Sequence, residues 1–399
     1  MNIEMPINFH HDGISPVIDV LPPLALYIHI PWCIRKCPYC DFYSHRLNGE
    51  LAENQYITAL QRDIELALPL IWGRKIISIF IGGGTPSLFS ASGLDKLLSV
   101  VRSLLPVLPD AEISMEVNPG TFEQAKFRAY HECGINRLSL GIQSFNESHL
   151  KRLGRIHGRD EALLAAESAK KYFSNFNLDL MVGLPGQSLQ EFQEDIQAAV
   201  SCHPNHLSLY QLTIEPNTPF ANHPPVLPDE DVLDEMQQWM EETLPKAGYQ
   251  HYEVSAWSLR GCQCQHNSNY WLYGDYLGIG AAAHSKITMP DARILRRVCI
   301  KNPDAYMAGK DIASIYEESF EVSSADRVFE FMMNALRFVE GFPLRLFTER
   351  TGLPLFVIDK PLKEAVSKGL LRVSFGMVKP TSLGMRFLND LQEVFLPEG

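Results

Sequence analysis

The sequence predicts an α/β fold, a parallel sheet covered by helices and followed by a small α+β module. Short β-branched or apolar runs alternate with helical patterns from Leu24 onward. Cysteines, glycines and buried-type polar residues fall at or just beyond the C-terminal ends of those runs. The pattern then changes near Val322, where a new amphipathic helix opens a separate unit.

The runs are Leu24 to Ile30, Ile76 to Ile81, Glu112 to Val117, Arg137 to Ile142, Asn177 to Val182 and His206 to Leu212. Between them lie segments such as Glu53 to Leu70, where Ile57, Leu60, Ile64 and Leu68 recur at near-helical spacing, and Gln190 to Val200. Six βα units whose strands are apolar on both faces imply a parallel sheet, either a curled partial barrel or an open doubly wound sheet. Cys33, the Gly82 to Thr85 turn, Glu116 and Gln143 all sit at strand C-terminal ends, where barrels build their active sites. Residues 1–23 contain four prolines and no sustained period, so a poorly ordered arm is expected there. In the C-terminal unit, Val328, Phe331, Met332, Ala335 and Leu336 mark one helix, and Pro343 to Pro380 reads as two helices and a hairpin, a winged-helix pattern. It lacks the basic character of a DNA-binding module.

Composition narrows the function. A net charge of −12 disfavours a protein that grips nucleic acid through its phosphates. No apolar run reaches the roughly 18 residues that span a bilayer, and no basic segment followed by an apolar stretch opens the chain, so a cytoplasmic location is expected. The eight cysteines are bunched rather than spread as a disulfide framework.

Three of them, Cys33, Cys37 and Cys40, form a C-x3-C-x2-C cluster after a strand and before Phe42 and Tyr43, with no fourth cysteine in register. A structural zinc site or a complete iron-sulfur cubane is normally held by four ligands. Three thiolates instead leave one iron of a 4Fe-4S cluster open to an amine and a carboxylate. The alternatives are zinc completed by His29 or His45, or incidental core cysteines. The spacing matches that of the radical S-adenosylmethionine superfamily, in which a glycine-rich turn after the second strand contacts the methionine moiety. Gly82-Gly83-Gly84-Thr85-Pro86 stands in that order after the cysteines, although a tight βα turn alone would also account for it. Glu116 is an acid inside an apolar strand, either paired with a core arginine such as Arg137 or an acceptor for ribose hydroxyls or an ammonium group. Gln143, Arg155 and Asp179 follow near the ends of later strands, placed to bond ribose, carboxylate and adenosine.

Together these residues resemble the oxygen-independent coproporphyrinogen III oxidase family from Leu24 to the C-terminus. The resemblance rests on Tyr27-Ile28-His29-Ile30-Pro31-Trp32-Cys33, Gly82 to Ser87, Glu116-Val117-Asn118-Pro119, Leu140 to Ser144, Gly154-Arg155-Ile156-His157, Asp179 to Gln187 and the C-terminal module. It implies a partial (β/α)6 barrel over residues 24–250, a connecting segment at 251–315 and a winged-helix-like domain at 316–399. It further implies S-adenosylmethionine contacts at Tyr27, Tyr39, Gly83, Gly84, Thr85, Glu116, Gln143, Arg155 and Asp179.

Two branches of the family differ in activity. The decarboxylating branch, which converts coproporphyrinogen III to protoporphyrinogen IX, carries a further cysteine two residues after the third cluster ligand and a longer region before the cluster. Here that position is Phe42, and Cys33 lies near the start. Both departures point to the haem-chaperone branch, whose His-Asn-x-x-Tyr-Trp signature is present as His266-Asn267-Ser268-Asn269-Tyr270-Trp271. An imidazole can ligate haem iron and the aromatics can pack on a porphyrin, although aromatics and a satisfied histidine at a domain boundary would read the same way. Cys262-x-Cys264-x-His266 lacks the C-x-x-C-H spacing of covalent haem attachment. The small residues of Gly278 to Ser285 could let backbone approach adenosine or haem. The branch implies haem as ligand and haem-accepting partners, such as respiratory or iron-storage haemoproteins, and it admits a membrane-associated partner and a homodimer. A radical enzyme acting on RNA is disfavoured by the acidic charge.

Overall fold

The computed structural model of the chain describes residues 16–120 and 126–397. Residues 1–15 of the expected arm lie outside the described residues. Residues 16–23 run against the C-terminal module and the barrel, with the Val17 N–H donating to the Gly352 carbonyl at 3.0 Å and Arg74 donating to the Pro22 carbonyl at 2.6 Å.

All six expected runs are strands: β1 (Leu24–Ile30), β2 (Ile76–Gly83), β3 (Val107–Val117), β4 (Arg137–Gln143), β5 (Phe176–Val182) and β6 (His206–Gln211). They pair in parallel in that order, each with its predecessor, as consecutive βα units dictate. The helices between them include α1 (Glu53–Ile71), α2 (Ala91–Leu104), α3 (Phe127–Glu132), α4 (Glu147–Arg152), α5 (Arg159–Tyr172) and α6 (Leu189–Ser201). Helix α1 buries Ile57, Leu60, Ile64 and Ala67 on one face, and the Ser90 side chain caps α2 by accepting from the Gly93 N–H. Ser188 and Glu191 form a capping box that starts α6.

Strand alternation separates the two faces of this sheet. Leu138, Leu140 and Ile142 of β4 are fully buried in the apolar core. The residues between them, Arg137, Ser139, Gly141 and Gln143, alternate to the other face, where Ser139 bonds Asp179 of β5 at 2.9 Å. That polar inner face is where ligand chemistry can be built.

The chain after β6 extends the same sheet at both edges. Strands β7 (Gln250–Glu253) and β8 (Ala256–Ser258) close one edge, β8 antiparallel to β6. Helix α7 (Gln265–Trp271) then leads into β9 (Asp275–Ile279), which lies parallel to β1 and carries β10 (His284–Thr288), β11 (Ile294–Cys299) and β12 (Tyr316–Glu321) antiparallel beyond it. The result is a curled partial (β/α)6 barrel within a twelve-stranded sheet. These later strands escape a period-2 reading because they are short and mix Arg, Lys and Glu with apolar residues.

Residues from α8 (Ser324–Ala335) onward build a second core, including Phe331, Met332, Leu336, Phe342, Phe347 and Val378, which Tyr273 and Ile294 of the preceding segment join. Two helices (Arg345–Thr351 and Asp359–Ser367), a hairpin (Leu371–Ser374 with Met377–Pro380) and a short strand at Phe342–Pro343 complete the winged-helix-like module. No helix among the described residues is long and apolar enough to cross a membrane.

Candidate cofactor sites

The cysteine loop leaves β1 and is pinched shut by two short parallel strands, Trp32–Cys33 against His45–Arg46. The His45 N–H donates to the Pro31 carbonyl at 2.7 Å and the Leu47 N–H to Cys33 at 2.9 Å, so three thiols project from one closed loop. Cys33 is buried, whereas Cys37 and Cys40 are half-buried. Burial pushes the Cys40 thiol up to about 11, and the neighbouring Cys37 and Cys33 push the same way. A thiol raised in this way ionises readily only beside a strongly positive centre. Among the described residues no three His, Cys, Asp or Glu side chains close on a point that would hold a single metal ion. His29, a zinc alternative, is instead bonded to the Tyr27 hydroxyl at 3.0 Å and the Tyr43 carbonyl at 2.8 Å. The donor set and the open space before it fit a wider cluster.

That space is a cavity of about 440 Å³, lined by all three cysteines and by Tyr39, Gly83, Gly84, Thr85, Glu116, Gln143, Arg155 and Asp179. Eight of the nine residues expected to hold S-adenosylmethionine thus share one cavity with the thiols. At Gly83 φ is +110° and a Cβ would come within 2.6 Å of the His29 ring. At Gly84 a Cβ would lie 2.5 Å from the Trp32 carbonyl oxygen, so the glycines let β2 pass under the cysteine loop.

Glu116 is not paired with Arg137. Its carboxylate accepts the Gly83 N–H at 3.1 Å, and burial, reinforced by Asp179, raises its pKa to about 8. Arg155 reaches the Asn118 amide oxygen and the Gly141 carbonyl, both at 2.7 Å, and lies 3.8 Å from the Cys37 sulfur. Two acids facing a cavity and one fixed guanidinium suit a ligand with both a cationic and a carboxylate end. Asn118 supports Arg155, and Ser139 and Asn177 support Asp179; none of the three is assigned a role from the sequence alone. The signal for two of them is the period-2 polar spacing of Glu116/Asn118 at the end of β3 and of Asn177/Asp179 inside β5.

Tyr27 lies elsewhere, on a neighbouring cavity of about 860 Å³ that also receives His266, Asn267, Tyr270 and Trp271. Gly83, Glu116, Asp179 and Phe42 line both cavities, which therefore adjoin. The N-terminus of α7 is fixed by Glu112, which accepts the Gln265 N–H at 3.2 Å and the His266 N–H at 3.3 Å. The Cys264 thiol donates to the same carboxylate at 3.5 Å, and Cys262 lies 3.9 Å from the Asn205 amide, so these cysteines serve hydrogen bonding. His266 packs 5.1 Å from the Phe80 ring, with Nδ1 3.3 Å from the Ser78 hydroxyl. Burial and the charge of Arg137 lower its pKa to about 3. Trp271 stacks under the Arg337 guanidinium at 4.1 Å, and Tyr270 meets Tyr276 at 5.0 Å.

The chain resembles known proteins along most of its length. Residues 27–199 match the radical SAM superfamily and residues 322–387 match the HemN C-terminal domain. The chain is 50% identical over 379 residues to the haem chaperone HemW of Escherichia coli, covering 95% of this chain and 99% of that protein. The Haemophilus influenzae and Bacillus subtilis haem chaperones HemW are 46% and 32% identical, each over 99% of their length and 95% and 94% of this chain. The structure of coproporphyrinogen III oxidase (HemN) from Escherichia coli superposes with a TM-score of 0.79 at 23% identity, over 94% of this chain and 90% of that one, which establishes the common fold. The chain belongs to the HemW family of haem chaperones within the radical SAM superfamily.

Proposed function

We propose that the chain binds haem and passes it to acceptor proteins from a core that also holds a 4Fe-4S cluster and S-adenosylmethionine. The observation that carries this reading is the adjoining pair of cavities, one lined by three thiols and the other by an imidazole and a set of aromatic faces. The cluster, when bound by Cys33, Cys37 and Cys40, supplies an iron free of protein thiolate that can chelate an amine and a carboxylate. Arg155 then orients the ligand carboxylate, Glu116 and Asp179 face its cationic end, and Gly83 and Gly84 leave backbone bare beside it. Gln143, Thr85 and Tyr39 complete the wall of that cavity.

In the larger cavity His266 is kept neutral by burial, the form in which imidazole ligates iron. With Nδ1 held by Ser78, Nε2 is the nitrogen left for that role. Tyr270, Trp271, Tyr27 and Phe80 supply flat apolar faces for a porphyrin, and about 860 Å³ is of the size that encloses a large organic ligand. Phe42, where the decarboxylating branch has a cysteine, stands on the rim of both cavities. Delivery to a haem-accepting protein, from a cytoplasmic location, completes the reading.

Titrating the iron-loaded protein with haem, and repeating this with His266→Ala and Trp271→Ala, tests the assignment. Loss of His266 should shift the haem absorption bands and weaken retention, whereas loss of Trp271 should weaken retention with a smaller spectral change. Haem binding indifferent to both would overturn it.

A further inference from the structure

The inner face of β1 continues across the added strands as a single cross-strand row. The pairing places Ala25 opposite Tyr276, Tyr276 opposite Lys286, Lys286 opposite Arg296 and Arg296 opposite Phe320. Residues directly opposite share a face, so Arg296 stands on the same side of the sheet as Tyr27 and Tyr276. Tyr27, Tyr276, Arg296 and Phe320 all line the larger cavity.

The row contains two cations, and they are treated differently. Lys286 is turned away, its ammonium fully buried against Asp275 at 2.9 Å and the Tyr273 carbonyl at 3.0 Å. Arg296 is 17% exposed and is held by two groups, the Tyr276 hydroxyl at the cavity wall at 2.5 Å and the Glu330 carboxylate behind it at 2.7 Å. Glu330 comes from α8 of the C-terminal module, also accepts the Tyr273 hydroxyl at 2.7 Å, and is itself 21% exposed. A partly wetted ion pair is weak enough for another carboxylate to enter.

The arrangement fits a tetrapyrrole. His266 packs against Phe80 on β2 and Tyr27 on β1, and the Arg296 guanidinium is bonded to the Tyr276 hydroxyl on β9, the strand next to β1, so imidazole and guanidinium line one cavity. A porphyrin whose iron meets the imidazole carries its acid side chains at the edge of the ring, away from the iron. Arg296 is the one guanidinium of that row; of the other arginines lining the cavity, Arg137 lies 3.9 Å from Glu112 and Arg297 lies over the Tyr316 ring at 4.9 Å.

We propose that Arg296 is the carboxylate-recognising residue of the larger cavity, taking a propionate of the bound tetrapyrrole in place of Glu330. This rests on the haem-binding reading above. It also makes Glu330 a competitor, so that a residue outside the cavity sets the affinity for the ligand's acid groups.

The test compares haem with its dimethyl ester, which keeps the iron and ring and removes both charges, on full-length iron-loaded protein. A charge-assisted bond to Arg296 predicts that wild type binds haem about tenfold more tightly than the ester. Arg296→Gln should bring the two affinities together, with haem absorption unchanged in position because His266 remains. Glu330→Gln should widen the preference by removing the competitor, an outcome that mere support of the module would not produce. Equal binding of haem and ester by wild type, or an unchanged preference in Arg296→Gln, would overturn the assignment while leaving haem binding in place. Failure of wild type to bind either compound would remove the haem-binding reading itself and this inference with it.

Discussion

The Gly83 N–H donates to the Glu116 carboxylate at 3.1 Å, joining the glycine turn at the end of β2 to the acid on β3. This bond favours the ionised acid, but burial and Asp179 outweigh it and hold the Glu116 pKa at about 8, against 4.5 for the free group. A carboxyl that binds its proton more tightly when folded loses stability as pH rises through the interval from about 4.5 to 8. Glu116→Gln has no proton to lose. Thermal unfolding of cofactor-free protein should therefore show the variant gaining on wild type between pH 5 and pH 9; a difference that does not change with pH would contradict the assignment.

Gly84 separates β2 from the cysteine loop. Its Cβ in Gly84→Ala would sit 2.5 Å from the Trp32 carbonyl and 3.0 Å from that of Ile30, both backbone atoms that cannot swing aside. The substitution should cost about 1–3 kcal/mol of stability and lower the iron content by displacing Cys33. Denaturant unfolding and iron analysis of the same preparation check both effects.

Anaerobically prepared protein should contain about four irons per chain, and replacing Cys33, Cys37 or Cys40 by Ala should abolish the thiolate-to-iron absorption. Calorimetry should find S-adenosylmethionine binding only in the iron-loaded protein. Glu116→Ala should weaken that binding and retain the iron.

Glu112 positions His266 without lining either cavity. Glu112→Ala removes the acceptor for two N–H groups of α7 and the nearest carboxylate to the buried Arg137, at 3.9 Å. The expected loss is about 2–4 kcal/mol, together with weaker haem retention. Glu112→Gln, which keeps an acceptor oxygen, should recover part of both.

The barrel was legible because each of its strands is a compact apolar run. Leu138, Leu140 and Ile142 announce β4 and leave Gln143 to be read as an exception, whereas Ser139 passes as an ordinary strand residue. The cysteine loop was legible because its spacing is local. The wall of the larger cavity was not, because Tyr276, Arg296 and Phe320 come from three separate strands and meet only through sheet register. Tyr27 shows the same limit. Its place on β1 could be read from sequence, whereas the cavity it faces depends on the position of α7.

The most direct test of the haem-chaperone account is to incubate iron-loaded protein, under reducing anaerobic conditions with S-adenosylmethionine, separately with haem and with coproporphyrinogen III, and to measure bound haem and released carbon dioxide. The account predicts about one haem retained per chain and no conversion of coproporphyrinogen III. Sustained decarboxylation to protoporphyrinogen IX, with no haem retained, would contradict it.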